Sequence, residues 1–133
     1  MDERVISSRV SASAPSPPPV LDRPVLDTLV ECLDRVDLVR LLDQAATELP
    51  VLAGQVRAAS QDRDLASLMY QAHKLAGLAA SFGAAALAAS ADRIELTART
   101  ERREPCADML ADMTGAIDPA LRAIAAWRIE RAI

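Results

Sequence analysis

The stretch Leu65-Ala66-Ser67-Leu68-Met69-Tyr70-Gln71-Ala72-His73-Lys74-Leu75-Ala76-Gly77-Leu78-Ala79-Ala80-Ser81-Phe82-Gly83 decides the fold. Leu65, Leu68, Ala72, Leu75, Ala79 and Phe82 recur at alternating three- and four-residue steps. That spacing collects apolar side chains on one face of an α-helix. Gly83 follows the last of them and suits a tight helix exit.

Three further stripes of the same kind flank this one. Before it run Leu38, Leu42, Ala45, Leu49, Leu52, Val56 and Ala59; after it come Ala84, Leu87, Ala91, Ile94 and Ala98, then Cys106, Leu110, Met113, Ile117, Ala120, Ile124 and Trp127. Each predicts a helix that turns one apolar face to a shared core. The breaks between them are short: Ser60-Gln61-Asp62, with Asp62 or Asp64 as cap, then Gly83, then the charged run from Thr100 to Pro105, whose Glu101-Arg102-Arg103-Glu104 reads as a solvated loop. Short connections force successive helices antiparallel, so the expected fold is all-α, an up-down-up-down four-helix bundle. A short extra helix over about 23–33 precedes it, with Asp22 as cap, Pro24 in the first turn and Asp34 as cap of the next helix. Pro50 should kink the first long helix or start a new turn, and Asp118-Pro119 should divide the last one.

Composition agrees. Alanine is the commonest of the 133 residues, there are four glycines, and aromatics are 2%: Tyr70, Phe82 and Trp127. Such a chain favours helix over strand. A net charge of -4 excludes the basic signature of a nucleic-acid or anionic-membrane binder. The absence of a secretory leader or a long apolar span predicts a cytoplasmic protein. Cys32 and Cys106 match no metal spacing and read as two buried thiols in a reducing compartment. Residues 1–20 hold four of the eight prolines and read as a disordered Pro/Ser-rich arm, either a proline-recognition ligand or a plain tail; residues 21–133 form the bundle.

His73 is the one histidine. On a helical wheel it falls about 100° from the centre of the apolar face, at the edge between core and solvent. Ala76 and Gly77 lie one turn onward and Ala80 two, so the imidazole should project from a nearly bare patch. Glycine inside a helix costs about 1 kcal/mol relative to alanine. Close approach by another protein would explain Gly77; simple tolerance in an alanine-rich chain would too.

The run from Ala72 to Leu87 resembles the histidine-containing phosphotransfer (HPt) domain, in which a His is followed by Leu at two residues, Gly at four and a second Gly at ten. Leu75, Gly77 and Gly83 stand at those offsets from His73. Val20-Leu21-Asp22 entering a short helix, the Leu41-Leu42 helix and the segment from Ala88 to Glu95 are also similar, so the resemblance covers about residues 20–100. It implies a phosphorelay carrier without its own ATP site. His73 would accept a phosphoryl group from a receiver-domain aspartate and pass it to another receiver, with Lys74, Ala76, Gly77, Ala80 and Gly83 at the docking surface. Receiver domains, those of hybrid histidine kinases included, would be the partners of a monomeric carrier. Mg²⁺ would belong to the receiver, and no cofactor or metal to this chain. Neutral imidazole is a competent nucleophile near pH 7. One position departs from the pattern: the family commonly has Lys three residues after the His, and here that residue is Ala76. Lys74 points about 100° away around the helix and either meets acidic partner surface or is simply solvated.

Two other readings remain. One is a non-catalytic HPt-like adaptor that binds a receiver without accepting phosphate. The other is a structural bundle that dimerises through its last helix around Trp127. If the central stripe is core, Leu75→Ala should lower stability by about 2–5 kcal/mol in a urea titration.

Overall fold

Two of the four long helices start where a side chain satisfies an amide group left free at the first turn. The Asp34 carboxylate accepts from the Asp37 N–H at 2.9 Å and the Asp64 carboxylate from the Ser67 N–H at 3.1 Å. The computed structural model describes residues 16–133. It contains α1 (Arg23–Cys32), α2 (Arg35–Gln61), α3 (Leu65–Ser81), α4 (Ala85–Glu101) and α5 (Ala107–Glu130), with no strand among the described residues. α3 packs on α2 and α4, α4 on α5, and α5 back on α2, closing a four-helix bundle. Every residue of the first and third apolar stripes is buried, as are the second from Leu68 onward and Met113, Ala120, Ile124 and Trp127 of the fourth.

Helix lengths set the rest of the architecture. At about 1.5 Å per residue, the 27 residues of α2 reach some 15 Å beyond the 17 of α3. The 24-residue α5 overhangs in the same way. α1 covers the overhang, burying Leu26 in a second core with Leu38, Leu42, Ala45, Phe82, Ile124 and Trp127. The Trp127 indole N–H donates to Asp27 at 3.1 Å, satisfying the one polar atom of a fully buried ring. Trp127 therefore joins α5 to α1 and offers no dimer surface.

The turn between α3 and α4 is locked to the start of α1. Gly83 adopts φ +75°, and its carbonyl accepts from the Asp22 N–H at 2.6 Å. A Cβ on Gly83 would lie 2.6 Å from the Asp22 carbonyl oxygen. Asp22 thus serves through its backbone; its side chain makes no capping bond. Residues 1–15 of the expected arm lie outside the described residues. At its end, the Pro19 carbonyl accepts from the Ala86 N–H at 2.9 Å.

Two expectations change. Pro50 and Pro119 sit inside continuous helices, so neither divides its element, and Asp118 pairs with Arg122 one turn on instead of capping a new start. Both prolines are exposed, where carbonyls that lose an intrahelical partner can turn to water. Cys32 and Cys106 are exposed because each lies at a helix terminus away from the core.

Gly83→Ala should cost about 1–3 kcal/mol, from a positive φ and a backbone clash together. Gly54, exposed in α2 with open space at its Cβ position, is the control. Gly54→Ala should be neutral or raise stability by up to about 1 kcal/mol in the same denaturant titration.

Candidate functional site

His73 stands at the middle of α3, with Ala72 buried before it and Leu75 and Ala76 buried after it. Those neighbours fix the rotation of the helix and turn the imidazole outward, with 73% of the side chain exposed. Its Nδ1 lies 3.2 Å from the Oε1 of Glu95 on α4. Glu95 is almost entirely buried, at 6% exposure, and its second oxygen accepts from the Arg99 guanidinium one turn along α4. A buried carboxylate persists where it is paired and hydrogen-bonded, and Glu95 has both kinds of partner. An ionised carboxylate only accepts hydrogen bonds, so opposite an ionised Glu95 it is Nδ1 that donates, leaving the lone pair on Nε2. Met69 and Tyr70 complete an open depression with His73, Glu95 and Arg99.

The surrounding residues divide into two groups. Gly77 and Ala80 are exposed beside His73 and make the bare patch. A Cβ on Gly77 would meet nothing within 4 Å, as is also true of Gly54 and Gly115, so packing does not demand this glycine. Lys74 is exposed and lies over the Tyr70 ring at 5.3 Å, a cation–π contact on its own helix. Ala76 and Gly83, expected with these residues at the docking surface, are buried. Ala76 is 6% exposed because it belongs to the apolar face, and Gly83 is buried under Asp22.

Glu95 and Arg99 escaped the reading of the sequence. Glu95 sits within the third apolar stripe, next to Ile94, and nothing local marks a lone carboxylate there as a partner of a histidine 22 residues away. The available signal was its position: an acidic residue on the face of α4 that turns inward, followed four residues later by arginine. Among the described residues no group of three or more His, Cys, Asp or Glu could hold a metal ion. No described helix is long and apolar enough to cross a membrane.

Residues 26–127 match the Hpt domain family. The chain belongs to that family. Hpt domains are phosphotransfer carriers that work with receiver domains, and the family match spans all five helices, from Leu26 in α1 to Trp127 in α5. The fold is also that of histidine-containing phosphotransfer protein B (HptB) from Pseudomonas aeruginosa PAO1, known from a crystal structure. The two superpose with a TM-score of 0.76 over 84% of this chain and 96% of that one, at 24% identity. Comparison with curated proteins finds no match. Within the Hpt frame, the pairing of His73 with Glu95 makes a specific forecast about proton placement. Long-range ¹⁵N NMR at a pH where the ring is neutral should find His73 chiefly as the Nδ1–H tautomer, and Glu95→Ala should shift it towards Nε2–H.

Proposed function

We propose that this Hpt domain is a phosphorelay carrier that takes a phosphoryl group onto Nε2 of His73 from a receiver-domain aspartate and returns it to the aspartate of another receiver. One observation carries the reading: the single histidine is outward-facing, while its other nitrogen is tied to a buried carboxylate. The arrangement suits in-line transfer. The Nε2 lone pair attacks phosphorus as the bond from phosphorus to the aspartyl oxygen breaks. The aspartate leaves as a carboxylate. The ring keeps its Nδ1 proton and becomes a phosphorylated imidazolium, whose positive charge Glu95 balances at 3.2 Å. Passing the group on reverses each change.

Transfer of this kind depends on position and charge more than on elaborate covalent machinery. A helix packed on both sides supplies position. The exposed Gly77 and Ala80 let a second protein bring its acidic centre down to the imidazole without displacing a side chain. Mg²⁺ and the aspartyl phosphate belong to the receiver in this scheme, and the carrier brings the nucleophile.

The test uses receiver domains from the same genome, each loaded with acetyl phosphate. The wild type should acquire acid-labile phosphate from at least one of them, and His73→Gln should acquire none while remaining helical. Gly77→Gln or Ala80→Glu should slow transfer from the receiver at least tenfold yet leave labelling by the small donor phosphoramidate unchanged. Wild type that binds a receiver as tightly as His73→Gln but never carries label would make the chain an adaptor instead.

A further inference from the structure

The chain has three aromatic residues, and two of them, Phe82 and Trp127, are buried in the second core. The third, Tyr70, is 60% exposed. A single apolar residue on a surface is ordinary and needs no explanation. Tyr70 differs by its place. It stands one helical turn before His73, and of the exposed large hydrophobic residues among those described it alone lines the depression in front of the imidazole. We propose that Tyr70 is a specificity-determining contact for the receiver: an aromatic anchor that carries the Lys74 ammonium on its ring and fits a receiver surface whose acidic groups border an apolar contact. The assignment rests on the carrier reading above.

Distance alone brings Tyr70 under a docked partner. A specific interface covers about 800 Å² on each protein, a patch of roughly 16 Å radius. One helical turn is about 5 Å, so Tyr70 lies inside any such patch centred on His73, whichever way the ring turns. The other residues of α3 inside it, Gly77 and Ala80, have almost no side chain and discriminate poorly between partners. Tyr70 offers a large surface whose fit differs from one receiver to another, and tyrosine is among the residues that dominate interface energetics. The ring is also held in advance. The Lys74 ammonium lies 5.3 Å from its centroid, a cation–π contact between residues four apart on one helix. A tyrosine has only two side-chain torsions to order, so little freedom is lost on docking. Charge points to the same partner. The chain carries a net -4, and a receiver's phosphorylated centre is acidic, so an exposed cation next to His73 stands where the two surfaces would otherwise repel.

The test compares two kinds of donor on the full chain. Receivers of the same genome, loaded with acetyl phosphate, must dock to transfer; phosphoramidate need not. The readout is kcat/KM for transfer from each receiver divided by the rate of labelling by phosphoramidate, with circular dichroism melts to confirm that each variant is folded. Tyr70→Ala should lower that ratio about tenfold for the preferred receiver, the scale of a hot-spot aromatic. The loss should fall on KM for the receiver rather than on kcat. Tyr70→Phe keeps the ring and should stay close to wild type. Lys74→Ala should lower the ratio less, and should flatten its decline with added salt. Combining Tyr70→Ala with Lys74→Ala should cost less than the sum of the two, because the pair acts as a unit. A ratio that Tyr70→Ala leaves unchanged with every receiver would overturn the assignment. So would a loss confined to kcat, since Tyr70 would then act on the imidazole and not on the partner. A wild type labelled by no receiver would remove the carrier reading itself, and this contact with it.

Discussion

Burial of Leu68, Ala72, Leu75 and Ala79 fixes the rotation of α3 about its own axis, and the direction of the imidazole follows from that rotation. A helix with a single apolar face has one low-energy setting against its neighbours, since turning it by one residue would drive His73 and Lys74 into aliphatic packing. Because α3 is clasped by α2 and α4 along its length, the setting is rigid. In the proposed carrier role, an approaching receiver would find the imidazole already placed and lose no binding energy in ordering it.

The second constraint is electrostatic. Glu95 is almost fully buried, so a charge on it must be balanced, and it has partners on two sides. The desolvation penalty that makes isolated buried carboxylates rare favours this geometry, in which one oxygen of Glu95 faces Arg99 and the other His73. An ionised Glu95 would thereby favour the tautomer with the proton on Nδ1, the state that the proposed transfer uses. Its influence on His73 is a matter of contact and orientation rather than of net charge on the surface.

The far end of the bundle follows from unequal helix lengths. α2 and α5 overhang the α3–α4 turn, and the apolar residues on the overhang need a cover. α1 provides it, and the cover is held by contacts of different kinds, among them the Trp127 indole to Asp27, the Asp22 amide to the Gly83 carbonyl, and the ion pairs of Arg23 with Glu130 and Arg131 with Asp27. Gly83 therefore belongs to folding although it lies ten residues from the histidine in a motif associated with function. Gly77, which lies closer, meets no packing demand.

Four apolar stripes, their breaks, the short leading helix and the edge position of His73 were all legible in the residues, because periodicity at 3.6 residues per turn is a local property that survives without knowledge of the partner helix. Proline was read too strictly, since an exposed proline loses one hydrogen bond and water can replace it. Trp127 is buried as its stripe predicted, whereas the two cysteines were misplaced because burial depends on where each helix ends relative to the core, and only the assembled helices reveal that. The contact between His73 and Glu95 joins residues on two helices, and single-helix periodicity carries no information about azimuthal pairing across a bundle. The chain by itself determined that a lone histidine would stand at the rim of a helical bundle. Tertiary packing alone decided that a buried carboxylate and an arginine would stand beside it, because charge pairing at that site exists only once α3 and α4 are brought face to face.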